Sequence, residues 1–365
     1  MIARVKDKSP ALEFAEPVVG FNKAAKQKRV RADDPPVKQN YFAHPKTGLN
    51  FIPSGCKTLD LALGGGWARG RVANIVGDKS SGKTLLCIEA SANFARLEKK
   101  GRIRYREAEA AFDDKYAEAL GMPVARIDFG QNDRAFETVE DMFEDLQRIV
   151  AGAKGPELVI VDSLDALSDR KEAARDMDEG TYGTGKAKMM SELFRRLVRQ
   201  MNKTDVTLMI VSQVRDKIDT VSLGRKTTRS GGRALDFYAS QVLYLAHILR
   251  LTRTVFGQKR TTGVRVQGKV DKNKVALPFR EARFDIRFGY GIDDAQACVD
   301  WLKDAKSLKI AGLVEKDVPN YLDYMMTLTP EKEAQELAEL RQIVEDRWYA
   351  IEGELLTPRS KYGRG

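Results

Sequence analysis

The chain has 365 residues, 42% of them hydrophobic, enough for one large core with smaller appendages and no need of covalent staples. Lysine and arginine total 62 against 52 acidic residues, a formal net charge of +10 that suits a polyanionic partner, though solubility alone would ask for some net charge. Three scattered cysteines, Cys56, Cys87 and Cys298, show neither disulfide nor metal-ligand spacing, and two histidines, His44 and His247, leave little room for histidine triads or metal sites. No apolar run is long enough to cross a membrane, and the N-terminus lacks the apolar core of a signal peptide. The chain therefore reads as cytoplasmic, in a host's cytoplasm were the source viral, with no membrane partner.

Residues 1–50 are basic, dotted with proline and poor in apolar periodicity, which reads as an arm. Within it, Phe21 and Ala24 of Gly20-Phe21-Asn22-Lys23-Ala24 are spaced to plug a pocket on a neighbour; a plain tail is the alternative. The core, residues 51–291, opens with a short apolar helix inside 54–66 that ends in glycines. Val72-Ala73-Asn74-Ile75-Val76 then reads as a buried strand running into Gly77-Asp78-Lys79-Ser80-Ser81-Gly82-Lys83-Thr84, with a helix over 85–97. That is the strand, loop and helix context of a phosphate loop, in which backbone N–H groups cradle an anion at a helix N-terminus. Lys83 would add charge toward the β- and γ-phosphates and Thr84 a hydroxyl toward Mg²⁺, against the alternative of a glycine-rich turn with a stray lysine.

Residues 103–107 alternate as a strand with one polar face, and helices are expected over 117–120 and 137–150. Leu158-Val159-Ile160-Val161-Asp162 reads as a parallel strand ending on a carboxylate, the usual second anchor for Mg²⁺ beside a phosphate loop. Residues 169–188 form a charged, glycine-rich segment with Lys186 and Lys188, before a helix over 189–201 that carries Arg195. A strand over 207–211 ends in Ser212-Gln213 and feeds a second polar segment, 214–232, which is long for a loop in a compact domain. Residues 241–245, 263–270 and 282–288 read as antiparallel strands extending the sheet, with Lys272-Asn273-Lys274 in a turn. From 292 the pattern is helical, with helices over 295–302, 321–326 and 330–354 and a basic tail. The fold class is α/β, a mostly parallel sheet flanked by helices.

Several motifs occur together and in order: Ser81-Gly82-Lys83-Thr84, Glu107-Ala108-Glu109, Val161-Asp162-Ser163, Met189-Met190-Ser191, Gly231-Gly232, Phe237-Tyr238-Ala239-Ser240, and Lys272-Asn273-Lys274 with Pro278-Phe279. From about residue 54 to 291 this set resembles the RecA family of homologous-recombination ATPases, which implies a RecA-like core. The resemblance implies ATP and Mg²⁺ as ligands, with Glu109 activating the attacking water, Asp113 and Tyr116 at the adenine, and Asp162 holding Mg²⁺ through water. It implies that Gln213 senses the γ-phosphate and that Lys272 and Lys274 reach ATP on a neighbouring subunit, so that the chain forms a helical filament with itself. Phe237 falls among the self-assembly residues, and Phe21 with Ala24 is similar to the Phe-x-x-Ala polymerisation motif of the archaeal and eukaryotic branch.

The two basic segments take the place of the family's DNA-binding loops, which would put Lys186, Lys188, Arg195, Arg215, Lys217, Leu223, Arg225, Lys226, Arg229, Gly231 and Gly232 on single-stranded DNA. Double-stranded DNA is then the exchange partner, and single-strand binding and loader proteins would attend. Leu223 where bacterial members often carry an aromatic, an excess of arginine and lysine in the second loop, and Arg104 and Arg106 in a strand usually more apolar mark a divergent member, a bacteriophage protein among the options. Two other readings stay open: a hexameric RecA-fold helicase, which would usually carry an arginine finger, and a non-hydrolysing filament protein, which would be expected to lack the base.

Overall fold

The computed structural model describes residues 46, 48–109, 112–130, 138–168, 170, 184–216, 227–229 and 232–356. Phe21, Ala24, Lys217, Leu223, Arg225, Lys226 and Gly231 lie outside the described residues.

The described elements begin with β1 (Phe51–Ile52), α1 (Lys57–Leu63) and β2 (Trp67–Ala68), β1 and β2 pairing as a small antiparallel sheet. Then follow β3 (Val72–Gly77), α2 (Lys83–Leu97), β4 (Arg102–Glu107), α3 (Asp114–Ala119), β5 (Ile127–Asp128), α4 (Val139–Gly152) and β6 (Glu157–Asp162). After them come α5 (Thr184–Thr204), β7 (Val206–Asp216), β8 (Thr227–Arg229) and α6 (Gly232–Tyr238). The remainder is β9 (Gln241–Val255), β10 (Gln258–Asn273), β11 (Glu281–Arg287), β12 (Gly291–Asp293), α7 (Asp294–Asp304), α8 (Val318–Thr327) and α9 (Pro330–Leu355).

Among the described residues, the main sheet runs β12-β11-β10-β9-β3-β7-β6-β4-β5, with β8 paired to β7. β9, β3, β7, β6, β4 and β5 are mutually parallel, and β10 to β12 extend them antiparallel. Such a parallel block is covered on both faces, so its central strands β3, β7 and β6 carry apolar residues on both. In β6, Leu158 and Ile160 face α2 and the C-terminal helices, while Val159 and Val161 face α4 and α5. The same division splits β3 into Ala73 and Ile75 on one side and Val72 and Val76 on the other. The C-terminal helices share this core through Leu340, Val344 and Trp348, and ion pairs Arg341–Asp294 and Lys57–Glu345, each 2.6 Å, fasten α9 to α7 and α1.

Four expectations change against the structure. The first basic loop does not run to Lys188: α5 starts at Thr184, so Lys186 and Lys188 stand in its opening turns. The second segment is not all loop, because β7 continues to Asp216 and pairs antiparallel with Thr227–Arg229, which puts Arg215 and Arg229 on a two-stranded extension and Gly232 at the start of α6. Residues 241–245 pair parallel with β3, and only their other edge is antiparallel, because β9 bridges the two halves of the sheet. Lys272 and Asn273 close β10 instead of turning, Asn273 pairing with Gln241. The arginines of β4 are there because acids meet them: Arg104 binds Glu157 at 2.8 Å and Arg106, 4% exposed, binds Asp145 at 2.8 Å.

Candidate active site

The phosphate loop joins the end of β3 to the start of α2 at the C-terminal edge of the parallel strands, where an open α/β sheet leaves its crevice. Its glycines are steric necessities. Gly82 caps α2 at φ 90°, and a Cβ there would come 2.4 Å from Cδ1 of Ile286, while one at Gly77 would come 2.6 Å from Oγ of Ser81 and 2.8 Å from the carbonyl of Leu245. The loop is braced by its own side chains: Oγ of Ser81 donates to the Asp78 carbonyl at 2.8 Å, and Nζ of Lys83 donates to the same carbonyl at 2.6 Å. Burial lowers the Lys83 pKa, against the opposing pull of Asp162, Glu109, Asp78 and Asp165. Lys83 is thus a partly desolvated cation parked on its own loop.

Thr84 donates through Oγ1 to Oδ2 of Asp162 at 2.8 Å, and the buried Tyr105 hydroxyl donates to the same oxygen at 2.8 Å. Burial raises the Asp162 pKa, and these two hydrogen bonds oppose the rise. Tyr105 is fixed in turn by Phe112, ring centroids 4.7 Å apart. Among the described residues, no group of three or more His, Cys, Asp or Glu side chains could hold a metal by itself. One carboxylate beside one hydroxyl is nevertheless a fitting pair of hard oxygens for Mg²⁺, which keeps waters and takes its remaining ligands from phosphates.

Glu109 stands just past the end of β4. Its Oε1 accepts from Oγ of Ser163 at 2.6 Å and from Nε2 of Gln213 at 3.1 Å. Asp165 accepts the Gln213 backbone N–H at 2.6 Å, so the turn after β6 grips β7 where that strand runs toward its basic extension. Ser163, Asp165 and Tyr105 were not singled out from the sequence for any role. Ser163 had a signal, following Asp162 directly at the end of a buried strand; Asp165 had none, being one acid among several in a charged stretch.

The other expected residues lie elsewhere. Asp113 caps α3 by accepting the Tyr116 backbone N–H at 3.0 Å, and the Tyr116 ring is 38% exposed, close enough to Glu89 of α2 that burial and that carboxylate raise its pKa. Arg195 is exposed on α5, about 10 Å down the helix from Lys188 at 1.5 Å per residue. Lys272 and Lys274 sit at the opposite edge of the sheet from the phosphate loop, since Asn273 pairs with Gln241, which pairs with Ala73 at the start of β3. About 13 Å of strand separates Ala73 from Gly77. Both lysines cap the C-terminus of α6: Lys272 donates to the Phe237 carbonyl at 2.8 Å and also to that of Asp236, and Lys274 donates to Phe237 at 3.0 Å with its ammonium 5.8 Å from the ring. Phe237 is 70% exposed beside them.

Comparison with known proteins shows which family the chain is similar to. The family model described as the RecA N-terminal domain matches residues 40–293. The protein RecA of Arthrospira platensis is 40% identical over 265 residues, 72% of this chain and 69% of that one. That of Trichodesmium erythraeum is 39% identical over 265 residues, 72% and 70% of the two chains. That of Gloeobacter violaceus is 36% identical over 309 residues, 82% and 79% of the two. A family match over most of the chain, with relatives 36–40% identical, means that this chain belongs to the RecA family.

Proposed function

We infer that the chain is a DNA-dependent ATPase that assembles as a helical filament on single-stranded DNA and catalyses homologous pairing and strand exchange. The observation that carries this reading is the hydrogen bond from Gln213 to Glu109. It joins the carboxylate suited to activate water to the strand that runs into the basic β7–β8 extension, so hydrolysis and DNA contact share one residue.

In this reading Glu109 accepts the proton of the attacking water, with Ser163 and Gln213 holding one of its oxygens. Lys83 exchanges the Asp78 carbonyl for phosphate oxygens, a favourable trade for a desolvated cation. Thr84 and Asp162 would hold Mg²⁺, which when bound neutralises charge on the phosphates. Lys272 and Lys274 lie at the far edge from their own phosphate loop, which supports a role at a neighbouring subunit's nucleotide and would make turnover depend on assembly.

The test is negative-stain microscopy with a slowly hydrolysed ATP analogue and single-stranded DNA, followed by a joint-molecule assay with homologous duplex. Helical filaments that form joint molecules are expected. Discrete rings would favour a helicase, and filaments without joint molecules would remove strand exchange.

A further inference from the structure

β4 presents its residues alternately to the two faces of the sheet. Arg106 turns to α4, where Asp145 accepts from its Nε at 2.8 Å, and Tyr105 turns to the α2 side, 0% exposed in the core that also holds Ile160. β4 and β6 pair with Tyr105 opposite Ile160 and Glu107 opposite Asp162, so Asp162 leaves β6 on the Tyr105 face, two residues beyond Ile160. A buried phenol needs a partner for its hydroxyl. This one finds it in Oδ2 of Asp162 at 2.8 Å, the oxygen to which the Thr84 hydroxyl also donates at 2.8 Å.

The ring is fixed as well as the hydroxyl. Its centroid lies 4.7 Å from that of Phe112 and 6.2 Å from that of Phe129, and the two phenylalanines lie 5.4 Å from each other, a cluster of three tilted rings. Phe112 directly precedes Asp113, the N-cap of α3, whose side chain holds the Tyr116 backbone N–H. Phe129 directly follows Asp128, whose backbone carbonyl accepts from Arg106. β4 therefore sets both the ring and part of its packing, Tyr105 on one face and Arg106 on the other. The three rings link the segment that the family resemblance puts at the adenine to the carboxylate that it puts at the metal.

We propose that Tyr105 is a positioning residue for Mg²⁺: its hydroxyl, held in place by Phe112 and Phe129, fixes the Asp162 carboxylate in the orientation that the ion requires. The proposal rests on the reading in which Thr84 and Asp162 hold Mg²⁺, and adds to it the residue that sets their geometry. An Asp carboxylate turns broadly about its last torsion, so a single donor leaves it free to swing. Two donors on one carboxylate oxygen lie near its lone-pair directions and so define the carboxylate plane, and here they come from two elements, Thr84 of α2 and Tyr105 of β4. Mg²⁺ is the cation for which this matters, since it demands near-ideal octahedral geometry. The same hydrogen bond draws charge from the carboxylate, which by itself would weaken its hold on a cation. Orientation outweighs that loss, because partners that orient a metal-binding group typically account for about 10–100-fold in metal affinity.

The experiment uses the full chain and Tyr105→Phe, which removes the hydroxyl and keeps the ring. Equilibrium binding of a fluorescent ATP analogue is followed without DNA, first in EDTA and then across a Mg²⁺ series. The Mg²⁺ concentration at the midpoint of the added affinity should rise about 10-fold, with the loss confined to the part of the affinity that depends on Mg²⁺. Phe112→Leu, which loosens the ring and keeps the hydroxyl, should raise the same midpoint about 3-fold, and it carries the test should Tyr105→Phe not fold. An unmoved midpoint overturns the proposal. So does a lower one, which would make the hydroxyl a drain on the charge of the carboxylate. Losses of equal size in EDTA and in Mg²⁺, together with a lower denaturant midpoint, also overturn it and leave Tyr105 a structural side chain. A shift in Tyr105→Phe with none in Phe112→Leu keeps the hydroxyl's role and removes the one given to the rings. A parent whose analogue binding ignores Mg²⁺ sinks the metal reading as well; one that responds to Mg²⁺, with both variants like it, sinks the role of Tyr105 alone.

Discussion

The two edges of the central sheet hold their functional side chains by different means. At the phosphate-loop edge, Lys83 on the Asp78 carbonyl apart, side chains bind side chains: Thr84 and Tyr105 converge on Asp162, Ser163 and Gln213 on Glu109. Each group there is oriented by a neighbour whose own position is set by a buried strand. At the opposite edge, Lys272 and Lys274 rest on the carbonyls that any helix leaves unpaired at its C-terminus, next to an exposed phenylalanine. Preorganised hydrogen bonds between side chains suit a centre that acts within its own subunit. Ammonium groups on replaceable carbonyls suit a site that waits for a partner.

The largest effect expected from breaking this contrast is at Glu109. Glu109→Gln keeps the shape and a hydrogen-bond acceptor but loses the base, so turnover should fall about 100-fold or more while nucleotide and DNA binding change little. Steady-state phosphate release set beside binding anisotropy checks this, and undiminished release would remove Glu109 as the base. Lys272→Ala should cost DNA-stimulated turnover about 100-fold, the scale of one lost transition-state donor. Mixing it with Glu109→Gln subunits sharpens the comparison. An interface that draws Glu109 from one variant and Lys272 from the other is complete, so partial recovery is expected. Additive inactivity would place the lysine's role within its own subunit.

Those two positions also measure how far the sequence could be read. The phosphate loop, the β6 run ending on Asp162 and the C-terminal helices were legible because a strong local pattern coincides with burial on known faces. The reach of β9 and β10 was not. Beyond Leu245 both faces of the ribbon they form meet solvent, so the run from Ala246 to Val255 mixes His, Arg and Thr with Ile and Leu and shows no alternation. That Gln241 starts a strand parallel to β3 is likewise set by tertiary pairing, which no period in 241–245 encodes. Asp165 escaped for a related reason. Its meaning lies in the backbone N–H of a residue 48 positions away.

Ser163 tests a smaller part of the same edge. Its hydroxyl shares Oε1 of Glu109 with Gln213, so Ser163→Ala leaves the base held on one hydrogen bond instead of two. A hydrogen bond to a charged group contributes about 1.5–3 kcal/mol, and with Gln213 still in place a turnover loss of about 10-fold is expected. The Michaelis constant for ATP should stay near that of the parent, since Ser163 touches the base and not the phosphate loop. A raised Michaelis constant with unchanged turnover would assign Ser163 to binding.

The smallest effect belongs to carboxylates that serve neither edge. Asp60 on α1 and Glu89 on α2 are each pushed up to about 7, burial being the main cause; Ser54 hydrogen bonds oppose it at Asp60 and the Ile292 backbone at Glu89. Both values lie above the ordinary carboxylate range near 4, so between about pH 4 and 7 the folded chain binds more protons at these groups than the unfolded chain does. Their contribution to stability is fully present below the unfolded value and is lost as pH rises through about 7. Denaturant midpoints should therefore be lower at pH 8 than at pH 6. Asp60→Asn with Glu89→Gln, which removes the titration while keeping shape, should flatten that difference. ATP turnover of this double variant, measured with excess DNA and nucleotide at fixed pH, should remain near the parent's, because neither carboxylate belongs to the Glu109 or Lys272 arrangement. A parent whose midpoint rises from pH 6 to pH 8 would mean that these two groups are ionised in the fold, and that the α1–α2 side of the core tolerates charge that its burial argues against.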